Sequence, residues 1–313
     1  MNSRERVNAA LAHREGDRIP LDLGGCGQTG MHATTVYALR QALGLDAPGT
    51  PVKVIEPYQM LGEIKPDLQD RLRVDVVGLA TPGTLFGFNN EDWKPWTFWD
   101  GTPLLVPGKF NTDPDENGDL LMYVDGDRSA PPSAKMPKTG FYFDSLIRQE
   151  PIDDANLDPA DNASDYGPIS EANLAYLRAE SERLYNESDR AVVMVIGDAG
   201  FGDIALVPGP WVKHPKGIRD VAEWYMSTVT RKDYIAAVFE QQCEVALANL
   251  PRVYEAVGDR VTVAWISGTD FGAQNSCFIS PRAFRTLYKP FYARVNGWIH
   301  AHTPWKTFIH TCG

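Results

Sequence analysis

The sequence predicts an α/β chain with parallel strands, either an open sheet or a barrel cut short, and three observations point that way. Short apolar runs alternate with helical stretches, among them "AVVMVIG" (191–197), "VTVAWISGTD" (261–270) and "KTFIHTCG" (306–313). Strands separated by helices pair in parallel through right-handed crossovers. Residues 83–145 change texture to Gly, Pro, Asn and Asp with scattered aromatics, the composition of antiparallel hairpins. Only about five barrel-type strands are readable, whereas a closed barrel has eight.

Taken in order, Asn2 and Glu5 stand at capping-box spacing, and a first helix should end near His13. "RIPLDLGG" reads as a buried strand over 19–24 closed by glycines, and "HATTVYALRQALGL" as a helix. "LRVDVVGL" (72–79) is a second strand. Within 83–145, Trp93, Trp96 and Trp99 recur every third residue. Such a spacing either stacks indoles along one side of a loop, as a wall for a flat ligand or partner, or supplies a small hydrophobic cluster that holds the insert in place. A polar loop spans 150–170, and Ser170 can cap a helix over 170–187. Further strands are expected over 191–197, 261–269 and 306–311, with a long amphipathic helix over 231–257 interrupted at Pro251. Ser280 followed by Pro281 is the preferred start of a helix.

A chain of 313 residues, 43% hydrophobic, can bury a core without covalent staples. Its net charge of −11 argues against nucleic acid and anionic membranes as partners. Cys26, Cys243, Cys277 and Cys312 lie far apart without a CxxC pair, which suits a reducing compartment better than a disulfide framework. "MNSRERVNAALAHREGDRIP" lacks the apolar core of a signal peptide, and no run of about 18 apolar residues occurs. A cytoplasmic location is expected.

"TFIHTCG" (307–313) leads a strand into His310 and Cys312. Alternate side chains of a strand share a face, so imidazole and thiol should point the same way. Asp270 ends another strand and is followed by Phe271 and Gly272, where a carboxylate either orients substrate and moves a proton or caps the turn. Gln274 and Asn275 are polar neighbours with weaker claims. Asp75 within "RVDVVGL" is either a site carboxylate or a structural hydrogen-bonding group. "GCGQTG" (25–30) matches GxGxxG, yet the rest of the chain does not read as a nucleotide domain. A glycine-rich turn at the end of the first strand explains the same residues, leaving Cys26 and His32 as pocket-lining candidates.

"SRERVNAALAHREGDRIPLDLGG", "VDVVGL", "ISGTDFGAQNSCFISPRAFRTLYKPFYARV" and "KTFIHTCG" together resemble the uroporphyrinogen decarboxylase superfamily, and more closely its cobamide-dependent methyltransferase branch. The resemblance spans most of the chain apart from the aromatic-rich insert. It implies a TIM (β/α)8 barrel, here one domain over 1–313 that is incomplete at its C-terminus, with 83–145 inserted as hairpins. It also implies zinc held by a His-x-Cys pair, which His310 and Cys312 match, and by a second cysteine many residues later. Catalytic roles fall to Asp270 and Gln274, and substrate-binding roles to Cys26, His32, Asp75 and Asn275.

The expected function is a zinc-dependent methyltransferase that moves a methyl group between a small methylated donor or acceptor and a corrinoid (methylcobamide) carried by a partner protein. Zinc in catalytic sites keeps a position open beside its three protein ligands, and there it acidifies a bound thiol, alcohol or water or polarises an ether oxygen. Six histidines and four cysteines supply on the order of 0.1 His-x-Cys pairs by chance in a chain of this length. The alternatives are a metal-free decarboxylase, whose Arg-rich carboxylate-binding motif is not evident in "LDLGGCGQTG", and a barrel that only binds a corrinoid or tetrapyrrole. An open barrel would expose strand edges and favour a homo-oligomer.

Overall fold

Three parallel strands, Ala191–Val195, Val263–Ser267 and Lys306–Ile309, stand side by side with Val263–Ser267 in the middle. The computed structural model describes residues 1–312; Gly313, the end of the expected domain, lies outside the described residues. The α/β class with parallel strands is as the alternation of apolar and helical runs predicts. A fourth strand, Val76–Leu79, neighbours Ala191–Val195. Among the described residues this sheet has four strands, short of the eight of a closed barrel.

The chain divides into two compact units. One holds residues 1–77, 82–146 and 210–213, and the other holds 78–81, 147–209 and the rest of the chain from 214. In the first, Val52–Glu56 pairs in parallel with Pro103–Val106, which pairs in turn with Lys94–Thr97 as a hairpin. A second sheet runs antiparallel through Thr112–Pro114, Leu120–Tyr123, Pro132–Met136 and Asp144–Ser145. These are the hairpins that the Gly, Pro and Asp content of 83–145 predicts. Their inward side chains, including Phe86, Phe88, Phe98, Phe110 and Phe143, form one core with Val36, Val54 and Met60.

The tryptophans do not share a face. Trp96 meets Phe98 and Phe110 edge-on, Trp99 packs on Phe98 and Phe141, and Trp93 lies under the Lys53 ammonium. Each indole packs on side chains of its own unit, which is the structural role.

The first helix, Ser3–Leu11, has the expected capping box of Asn2 with Glu5. The expected strand 19–24 is absent. Pro20 has no N–H to donate, Ile19 is 87% exposed, and the Leu21 N–H goes to the Asp75 side chain while the Leu21 carbonyl accepts the Asp75 N–H. The other strands are shorter than expected by two to four residues, because their ends turn into loops or, at Leu72, belong to the preceding helix.

In the second unit, Ser170 caps Glu171–Glu187 and Asp220 caps Val221–Thr230. The helix Lys232–Val257 runs through Pro251 without the expected interruption. Its buried stripe, including Ile235, Val238, Phe239, Leu250 and Val253, outweighs a proline cost of about 3 kcal/mol. Ser280 and Pro281 start the last helical stretch as expected, a π-helical turn over Phe284–Tyr288 precedes Pro290, and Lys289–His302 completes it. No helix among the described residues is long and apolar enough to cross a membrane.

Candidate metal centre

Register builds the site. In the parallel pair, Ser267 stands opposite Ile309, so both strands run out at the same level and in the same direction. Three residues further along each chain lie Asp270 and Cys312, and the two loops lock together there. The Cys312 N–H donates to Asp270 Oδ1 at 2.7 Å, and the Phe271 N–H donates to Thr311 Oγ1 at 3.2 Å. His310 still belongs to the ladder through its N–H bond to the Ser267 carbonyl at 3.0 Å. The strand ends at Ile309, earlier than expected, but imidazole and thiol still come together.

Cys312 Sγ lies 3.6 Å from His310 Nε2, and His310 Nε2 lies 3.8 Å from Asp270 Oδ1. All three donor atoms fall within 4.8 Å of one another. Zn–S and Zn–N bonds of about 2.3 and 2.0 Å at a tetrahedral angle separate their ligand atoms by about 3.6 Å, the sulfur-to-nitrogen distance found here. Thiol, imidazole and carboxylate are each ordinary zinc donors. The Asp270 charge pushes the Cys312 thiol up. His310 and Asp270 are partly exposed and Cys312 is exposed, so the centre is open to small molecules.

The floor beneath the centre is a hydrogen-bonded cluster. Ser267, Thr269 and Tyr292 share a buried triangle of hydroxyls at 2.8 to 3.1 Å, and Thr269 Oγ1 donates to the Phe201 carbonyl. Tyr225, its ring tilted against Phe278, donates its hydroxyl to the Asp270 carbonyl at 2.7 Å. The turn that carries Asp270 is therefore held from two sides.

Gln274 and Asn275 occupy the exposed two-residue turn between Gly272–Ala273 and Ser276–Cys277. Cys26, His32 and Asp75 belong to the other unit. Cys26 is buried, and burial pushes its thiol up. His32 caps Ala33–Ala42, and its ring nitrogens face Thr34 and the Phe141 carbonyl. Burial pushes its pKa down. Asp75 is fully buried; its oxygens accept from Arg6, Arg18 and the Leu21 N–H. That is the structural one of the two roles its sequence position allows.

Asp203 is the residue that sequence reasoning missed. It lies in the loop after Ala191–Val195, is 8% exposed, and is pushed up to about 6, chiefly by burial and then by the Asp270 charge. "GDAGFGD" (197–203) carried the signal, since an acid in a glycine-rich turn after a strand is the argument that selects Asp270. No family model, curated protein or solved structure matches the chain.

Proposed function

We propose that this chain is a zinc-dependent methyltransferase on a (β/α)-barrel framework, moving a methyl group between a small methylated substrate or acceptor and a corrinoid carried by a partner protein. The observation that carries the reading is the cluster of Asp270, His310 and Cys312 at the C-terminal ends of neighbouring parallel strands, the end at which barrel enzymes place their chemistry. The sulfur-to-nitrogen spacing of 3.6 Å fits zinc without rearrangement. The methyl and corrinoid parts of the reading rest on the resemblance described above.

His310 and Cys312 would hold the metal, with the Asp270 carboxylate as a third donor or as the group that orients the pair. Zinc bound there would acidify a thiol, alcohol or water, or polarise an ether oxygen. The protein's own part is positional. Tyr225 and the Cys312 N–H fix Asp270, and the Ser267–Thr269–Tyr292 hydroxyls keep the strand ends in register.

Metal analysis and a methylcobalamin turnover assay test the proposal. Purified protein should carry about one zinc per chain, and His310→Ala and Cys312→Ser should each remove most of the zinc and of the methyl transfer. Zinc that is absent, or unaffected by both substitutions, sinks the reading and leaves the metal-free decarboxylase in its place.

A further inference from the structure

Phe271 follows Asp270 directly and is tied to the other loop of the centre. Its N–H donates to Thr311 Oγ1 at 3.2 Å, and Thr311 stands between His310 and Cys312. Its carbonyl accepts the Phe278 N–H at 2.9 Å, which closes the base of the hairpin formed by Gly272–Ala273 and Ser276–Cys277. Where the Phe271 main chain lies therefore fixes how Asp270 stands against the loop of His310 and Cys312. The Phe271 ring is what anchors that main chain. It meets Phe284 edge-on at 5.0 Å and 76°, and Tyr288 edge-on at 5.1 Å and 86°.

Phe284 and Tyr288 are the two ends of the π-helical turn, and their rings lie 6.5 Å apart and nearly parallel, at 11°. In an α-helix the Phe284 carbonyl would accept from Tyr288. Here it accepts from Lys289, so the turn carries one extra residue, a device that recurs at functional sites. Pro290 favours the wider turn, because it has no N–H to give the Thr286 carbonyl. Tyr288 is the fixed wall of the slot: fully buried, it meets Phe239 at 4.9 Å, and its hydroxyl faces the Trp224 indole. Phe284 is the partly exposed wall. The same helical stretch ends at His302 and leads through Lys306–Ile309 to His310 and Cys312. One element thus grips the Asp270 turn near its start and delivers the other two donors after its end.

We propose that the slot between Phe284 and Tyr288 is a positioning element of the candidate metal centre: by seating the Phe271 ring it holds the Asp270 carboxylate on the Cys312 N–H and beside His310, at the spacing one metal ion needs. The inference rests on the functional reading given above. Edge-to-face pairs have a preferred geometry, so two such contacts fix the orientation of the ring as well as its position. Asp270 Oδ1 is 2.7 Å from the Cys312 nitrogen and 3.8 Å from His310 Nε2. A displacement of about 1 Å at Phe271 would break the first contact and misplace the carboxylate for a metal. Phe271, Phe284 and Tyr288 act through Asp270 and Thr311, not on the metal itself.

Phe284→Ala opens the slot on its exposed side and leaves Tyr288 in the core, so the variant should fold. Phe284→Tyr keeps the ring and should behave as wild type. In metal-free protein, amide exchange followed by NMR should speed up about tenfold at Phe271 and Cys312 in Phe284→Ala, the size of one ring–ring contact, with the amides of Val263–Ser267 unchanged. In cobalt-substituted protein the thiolate-to-cobalt absorption and the visible bands of the four-coordinate ion should weaken, and zinc affinity should fall by up to about tenfold. Phe284→Tyr should restore all three. A merely structural loss would lower the urea midpoint and speed exchange throughout the sheet, and that result overturns the inference. So do Phe271 and Cys312 amides that exchange as in wild type, or cobalt bands and zinc affinity that survive their loosening. A wild type that takes up neither zinc nor cobalt is a different failure, that of the functional reading, and the amide measurement then decides the role of the slot on its own.

Discussion

Each unit buries a carboxylate, and the two are treated in opposite ways. Asp75, fully buried in the first unit, has its desolvation more than offset by the Leu21 N–H and by Arg18, Ser3 and Arg6, and its carboxyl is held below the usual range. Asp203 in the second is buried almost as deeply, with the Ala205 N–H as its hydrogen-bond donor and no cation, and its carboxyl is pushed up to about 6. Burial alone does not tell a structural acid from a chemical one. Compensation does, since a carboxylate satisfied by arginines is fixed in charge, whereas one left short of donors can exchange a proton.

The comparison breaks most severely if Asp75 is removed. Asp75→Ala leaves Arg18 without its carboxylate and deprives Arg6 of one of its two, and the loss of one partner from a buried ion network costs about 3–5 kcal/mol. A fall in the urea midpoint with unchanged slope would record it. The sign with pH follows from the depressed pKa. The contribution of Asp75 is present above the ordinary aspartate value and is lost as pH falls through the folded one. A variant within about 1 kcal/mol of wild type would mean that the network adds little beyond its desolvation cost.

Asp203→Asn should act in the opposite direction. A folded pKa near 6 against about 3.8 unfolded means that the protonated form stabilises the fold at low pH, and that this contribution is lost as pH rises from about 4 to about 6. The neutral amide avoids the loss. At pH 7 the variant should be more stable than wild type by up to about 3 kcal/mol, with no gain at pH 4. Chemical denaturation at the two pH values measures the difference, and an equal effect at both would show that the burial of Asp203 carries no charge penalty.

Asp198 stands between the two. It holds φ +68° at the end of its strand, accepts from Asn249 Nδ2 at 2.7 Å, and is still raised by burial. Asn249→Ala removes that donor and also the acceptor of the Ile169 N–H, so stability should fall by about 2 kcal/mol and the Asp198 titration should move further up. A shift downward would contradict the assignment of burial as the cause.

The sequence made part of this visible. His310 and Cys312 were legible because i and i+2 on a strand share a face, and Asp270 because an acid closes a strand before a glycine. Asn2, Ser170 and Ser280 announced their helices through capping chemistry. The segment 19–24 misled because its apolar alternation is that of a strand, while Pro20 removes a donor and the Leu21 N–H is taken by the Asp75 side chain instead of a neighbouring backbone carbonyl. Pro251 misled in the other direction, because the packing of a long apolar stripe is a tertiary term that local propensity does not contain. Asp203 stands in a glycine-rich turn after a strand, as Asp270 does, but that local setting does not set the two acids apart. Its burial and its coupling to Asp270 and His310 arise from chain segments far apart in sequence, so no local pattern reports them.

The smallest expected effect is the most specific to the comparison. Asp270 contributes a charge that raises Asp203, second to burial itself, and it also accepts the Cys312 N–H. Asp270→Asn retains an oxygen for that bond and removes only the charge, so stability should change by less than about 1 kcal/mol. The midpoint of the Asp203 carboxyl titration, followed by infrared spectroscopy, should then move down by a fraction of a pH unit, because a like charge that opposed ionisation has gone. Zinc affinity should fall in the same variant, an amide being a poorer donor than a carboxylate. If affinity falls and the Asp203 midpoint does not move, Asp270 serves the metal alone and the two carboxylates are independent. If the midpoint falls and the affinity holds, Asp270 tunes Asp203 while His310 and Cys312 bind the metal without it.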